Sequence, residues 1–81
     1  MSVIETIINA FPDEQFLFAD GFDDAVIGLS TKNLICYDRE KCIEILMKDM
    51  SRTDAEEYFN FNVEGAYVGE KTPLFLHVFT P

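Results

Sequence analysis

Eighty-one residues leave room for one hydrophobic core, and that limit governs most of what this sequence can build. A chain of this size buries about 60–65% of the surface its unfolded form exposes. The core is therefore thin, and an enclosed substrate pocket has little space. One domain spanning residues 1–81 is the expected organisation. Eight phenylalanines and a 48% share of hydrophobic residues mark a globular chain rather than a disordered one. Each buried Phe contributes roughly 1.5–3 kcal/mol, so a few of them hold a small domain without staples.

The apolar residues fall into short segments separated by turn chemistry. Val3, Ile4, Ile7, Ile8 and Phe11 recur at helical spacing, with Ser2 as N-cap and Glu5 three residues on. Phe11-Pro12 ends that helix, because the residue before Pro avoids the helical region. Gln15 to Ala19 reads as a short strand, Asp20-Gly21 as a turn, and Ala25 to Leu29 as a second strand. Ser30 to Asn33 is a polar turn, and the strand Asn33 to Tyr37 follows it. Asp38 caps a helix from Arg39 to Asp49, with Ile43, Leu46, Met47 and Met50 on one side and Cys42 and Ile45 widening the stripe. Ser51 or Thr53 caps the next helix, whose inner face is Ala55, Tyr58, Phe59 and Asn62, and Gly65 ends it. Few residues separate these two helices, so they form a hairpin. Gly69 to Pro73 breaks the tail, and Leu74 to Val78 is strand-like. The expected order is α-β-β-β-α-α-β. The expected fold class is α+β, a small antiparallel sheet of three to four strands packed against a helical hairpin and an N-terminal helix.

Charge is plentiful and uneven. The net charge is −9. Residues 1–31 hold Glu5, Asp13, Glu14, Asp20, Asp23 and Asp24 and no base, whereas Lys32, Arg39, Lys41, Lys48 and Arg52 cluster in residues 32–52. Phosphate repels such a surface, so direct binding to nucleic acid or an anionic membrane is disfavoured and a basic protein partner is favoured. The charge also keeps a small protein dispersed. No stretch approaches the roughly 18 apolar residues of a membrane span. The N-terminal stretch lacks the basic leader of a signal peptide, so secretion is not expected. Cys36 and Cys42 form no C-x-x-C pair and are expected as small buried thiols in a reducing cytoplasm.

Three segments carry a resemblance: Phe22-Asp23-Asp24-Ala25-Val26-Ile27-Gly28, the run from Tyr37-Asp38-Arg39 to Ile45-Leu46, and the run from Phe61-Asn62-Val63 to Lys71-Thr72-Pro73. Together, over roughly residues 16 to 76, the chain resembles a group of short, uncharacterised proteins of bacteriophages and phage-like genomes. The resemblance implies a viral protein acting in the host cytoplasm. It assigns no catalytic residue.

No catalytic or cofactor-binding apparatus is legible. Asp20, Asp23 and Asp24 cluster around Gly21, but they lack the spacing of a calcium loop and are expected as solvated turn residues. Glu64 and Glu70 flank Gly65-Ala66-Tyr67-Val68-Gly69, yet acid–base chemistry on a sugar needs a cleft that so short a chain rarely provides. Gly69-Glu70-Lys71-Thr72 is not a phosphate loop, and Gly69 is expected to supply an unusual backbone angle. His77 stands alone, and with Cys36 and Cys42 it lacks zinc-finger spacing. The aromatics are better contact residues, and Phe59 and Phe61 cannot both face inward on one helix.

These observations lead to a non-enzymatic accessory protein that binds a basic host protein, with Asp20, Asp23, Asp24, Tyr67 and Glu70 as contact residues. A sharper form is inhibition of a nucleic-acid-binding host protein by mimicry, which requires carboxylates spaced along one face. Two alternatives stand beside it: a homo-oligomeric structural or assembly component, and a small metal-dependent enzyme or factor using the clustered carboxylates.

Overall fold

Ser2 opens the first helix as its sequence requires. Its Oγ accepts the Glu5 N–H at 3.1 Å, and α1 (Val3–Ala10) runs to Phe11 and stops before Pro12. The computed structural model describes residues 2–66 and 68–81. Two more helices begin in the same way. The Asp38 carboxylate accepts the Lys41 N–H at 3.3 Å to start α2 (Arg39–Leu46), and the Ser51 hydroxyl accepts the Asp54 N–H at 3.2 Å to start α3 (Arg52–Phe59). Helix α2 ends earlier than its apolar stripe predicts. Its last carbonyls turn instead to Lys48 and Asp49 in tighter i+3 bonds. Beyond α3 the chain widens into a π-helical turn, Asn60–Glu64, closed at Gly65.

The sheet has three strands in the order β1-β2-β3, namely β1 (Val26–Leu29), β2 (Ile35–Asp38) and β3 (Leu74–Leu76). The fold is α+β, a small sheet packed against helices. Strands β1 and β2 form the expected antiparallel hairpin. Its turn is held by Ser30, whose Oγ accepts the Leu34 N–H, and by Asn33 at φ +64°. Two expectations are corrected. The pairing of β2 with β3 is parallel, so the sheet is mixed rather than antiparallel. A helical hairpin alone would return the chain to the end it left. Here β3 instead starts beside the start of β2, with Leu74 in register with Cys36. Gln15 to Ala19 is the second correction, because it is no strand of this sheet. Its Phe16 and Phe18 touch edge-on at 6.3 Å, and the chain then turns at Ala19–Phe22 with Gly21 at φ +89°. Phe22, at the end of that turn, and Ala25, in the 3₁₀ turn Asp23–Ala25 behind it, are both buried.

The core centres on Tyr37, fully buried on the middle strand. Its ring stacks on Phe75 at 5.2 Å, Phe75 meets Phe59 edge-on at 5.0 Å, and Phe59 meets Phe22 at 6.4 Å. Cys42, Ile43 and Ala55 close the core from α2 and α3, and Ile7 joins it from α1. Val26, Leu29, Ile35, Tyr37 and Phe75 thus point from the sheet toward the helices. Strand alternation sends Cys36, Leu74 and Leu76 to the other face, where Cys36 lies outside the core cluster and both leucines stay exposed. Both cysteines are free thiols. Among the described residues no helix is long and apolar enough to cross a membrane.

The Tyr37 hydroxyl accepts the Ala19 N–H at 2.6 Å, a contact between residues 18 apart. Tyr37→Phe leaves that N–H without its partner. A loss of about 1–2 kcal/mol in urea unfolding is expected, with faster hydrogen exchange at Ala19. Burial, with the nearby Asp38 carboxylate, pushes the Cys42 thiol up to about 12 from an ordinary 9.0, and burial also raises Tyr37 and Cys36. All three folded values lie above the unfolded ones, so this stability is whole below pH 9.0 and is lost as pH climbs toward 12, where the unfolded chain ionises first. The urea midpoint should fall progressively over that interval. Cys42→Ala, less stable at neutral pH, should lose less of its stability there.

Candidate functional site

An apolar groove of about 590 Å³ opens on the surface between segments distant in sequence. One wall is the segment Leu17 to Phe22, extended at first and then turning at Ala19–Phe22. Ile45 and Leu46, at the end of α2, and Phe75 of β3 lie beneath it. The opposite wall comes from Tyr58 of α3, Asn62 and Val63 of the π-helical turn, and Val68, Thr72 and Pro73 of the following loop. Asp20 is the only acidic residue among those lining it.

Three ties hold the walls in place. Tyr37 anchors the first wall through Ala19. Lys71 reaches across the chain to Glu14, Nζ to Oε1 at 2.6 Å, and so fastens the 68–73 loop to the segment leading into that wall. The loop is also closed on itself: the Thr72 hydroxyl donates to the Gly69 carbonyl at 2.6 Å and accepts the Val68 N–H at 3.0 Å. Gly69 sits at φ +112°, the unusual angle expected of it.

Arg39 supplies the third tie. Its Nη2 donates to Asn60 Oδ1 at 2.9 Å, its Nε lies 3.7 Å from Glu64, and its guanidinium covers the Phe59 ring at 5.2 Å. A single cation thereby binds both ends of the π-helical turn to α2. Arg52 is engaged as well. It binds Glu40 with two nitrogens, at 2.6 and 2.9 Å, and Glu56 at 2.7 Å, which holds the Glu40 carboxyl below the usual carboxylate range. These last pairs are half exposed and add little stability.

The residues expected to bind a partner separate in space. Asp20 lies on the groove. Asp23 and Asp24 begin the 3₁₀ turn, and Asp24 lines a second, polar depression beside Lys41, Glu44 and Lys48. Glu70 is exposed in the loop that Thr72 closes. Tyr67 lies outside the described residues. Asp20, Asp23 and Asp24 do not converge: among the described residues no three His, Cys, Asp or Glu side chains come close enough to share a metal ion. Glu64 is occupied by Arg39, and His77 is exposed just past β3. Phe59, the last residue of α3, is fully buried, while Phe61, two residues on in the π-helical turn, is 82% exposed, so the two do not both face inward. Of the expected inner face of α3, Ala55 and Phe59 are buried, whereas Tyr58 and Asn62 are exposed beside the groove.

Sequence reasoning missed Leu17, Phe18, Val63 and Lys71 as site residues. The apolar run Leu17-Phe18 had been assigned to a strand. Lys71 and Glu14 are 57 residues apart, so no local pattern pairs them. No family model, no curated protein and no solved structure matches this chain.

Arg39→Met keeps much of the stem over Phe59 but removes the polar ties. It should cost about 1–2 kcal/mol in urea unfolding and shift the amide resonances of residues 60–64, including the groove residues Asn62 and Val63.

Proposed function

We propose that this chain is a small non-enzymatic binding protein whose groove takes a short segment of a partner protein, an apolar side chain flanked by Lys or Arg. The observation that carries this reading is the groove itself: apolar walls with Asp20 beside them, in a chain of net charge −9. Apolar side chains supply contact area, and the acidic surroundings select and steer a cationic segment. Around the first wall, Asp13, Asp20, Asp23 and Asp24 enter no ion pair among the described residues. The resemblance to short bacteriophage proteins supports a setting in the host cytoplasm. In that setting the partner is a basic host protein, and a groove that sequesters its cationic segment inhibits its binding to nucleic acid. Capture in the groove is favoured over mimicry of a phosphate row, because Asp24 shares its depression with Lys41 and Lys48.

The test uses two synthetic peptides, each with a Leu-Phe pair, one flanked by lysines and the other by glutamates. The lysine-flanked peptide should shift the amide resonances of Leu17, Ile45 and Val63 of the intact protein, and added salt should weaken it. Asp20→Asn should lower its affinity by about 2–5-fold, the scale of one exposed charge pair. Equal binding of both peptides, or shifts confined to other surfaces, would overturn the proposal.

A further inference from the structure

A second apolar surface lies away from the groove. Strand β3 is an edge of the sheet, and among the described residues no strand lies beyond it. Its exposed side chains continue into the tail: Leu74 is 38% exposed, Leu76 41%, Val78 51% and Phe79 90%. From Thr72 to Pro81 there is no Asp, Glu, Lys or Arg, the longest such stretch in a chain with fifteen acids and six bases. Natural edge strands are usually guarded by charge, by a bulge or by a covering element. Among the described residues none of those guards lies along this one, which is only three residues long. Pro73 and Pro81 only bracket it.

We infer that a second copy of this chain covers this surface, with β3 pairing antiparallel to β3 across a two-fold axis near Leu76. Such pairing joins two three-stranded sheets into one of six strands. It sets Val78 of each copy opposite Leu74 of the other, so that their side chains share one face. The choice of occupant rests on charge. A two-fold interface lays each group against its own copy near the axis, so an acidic patch there would repel itself. The stretch from Thr72 to Pro81 carries no acid of its own, and the acid nearest in register, Asp38 beside Leu76, lies one strand back from the edge with its carboxylate engaged as the cap of α2, so this is where the acidic chain can meet itself with least repulsion. A basic partner, by contrast, gains nothing from an uncharged strip. The remaining opposition is the net charge of −9 on each copy, which acts at longer range and is screened beyond about 8 Å at physiological ionic strength. Salt should therefore strengthen this association, the opposite of its effect at the groove.

Sedimentation equilibrium of the intact chain, over a concentration series at low and high salt, tests the inference. The mass should rise from 9.3 kDa to twice that value and no further, at lower protein concentration when salt is high. Leu76→Lys and Val78→Lys should both remain monomeric over the same range. Val78 lies beyond the paired part of β3, so its replacement leaves the fold intact, as an unchanged far-UV circular dichroism spectrum would show. A monomer at every concentration in high salt would overturn the inference. So would dimers that persist in both variants, or open-ended growth past the dimer. The groove is tested separately, because Val78→Lys should still bind the lysine-flanked peptide.

Discussion

Burial of one phenol, that of Tyr37, organises this molecule. It sits on the middle strand with both neighbours in register, Val26 on one side and Phe75 on the other. Its ring lies in the aromatic cluster that joins the sheet to α3. A buried hydroxyl must find a partner, and Tyr37 finds the Ala19 N–H. The same side chain therefore sets the centre of the core and the position of the groove's first wall. Extended chain without ladder hydrogen bonds is normally free to wander. Here a single hydrogen bond to a rigid strand fixes it, and the turn at Gly21 carries it on into the buried Phe22.

The charged residues complete the work that the thin core cannot. Arg39 and Lys71 each connect segments far apart in sequence, and each does so at a border of the groove. Arg39 is the more consequential of the two, since its side chain is only 16% exposed and meets an amide, a carboxylate and an aromatic face at once. It also spans a π-helical turn, an irregularity that widens the backbone and places the exposed Asn62 and the half-buried Val63 beside the groove. Local widening of a helix leaves backbone bonds less regular, and a cation tied to both ends compensates.

What was legible in the sequence was local. Ser2, Asp38 and Ser51 announce their helices because a cap acts over three residues. Asp20-Gly21 and Ser30 to Asn33 announce their turns for the same reason, and so does the spacing that keeps Phe59 and Phe61 from both facing inward, although the π-helical turn that carries Phe61 was not legible. The parallel β3 and the unpaired Leu17-Phe18 segment were not legible, because both depend on where chain passes end rather than on local preference. Strand propensity in Phe16, Leu17 and Phe18 is real, but burial of Phe22 and Ala25 outweighs it. Of the site, Asp20 was found by charge. The groove's walls were not, since they come from stretches separated by more than 30 residues.

A chain this short cannot bury all the apolar residues its composition supplies. Leu17 and Phe18 remain at the groove, Leu74, Leu76 and Val78 at the sheet's outer face, and Phe61 and Phe79 stand almost free. Such surface invites indiscriminate association unless something opposes it. The net charge of −9 is that opposition. Its placement makes it selective as well. Beside the groove, Asp20 keeps an anionic character that a cationic segment could satisfy, whereas residues 72–81 carry no acid or base of their own. On the proposed reading, one excess of acid would treat two apolar surfaces differently: it would draw a cationic segment toward the first and leave the second to close-range packing. Ionic strength would then set the balance between them.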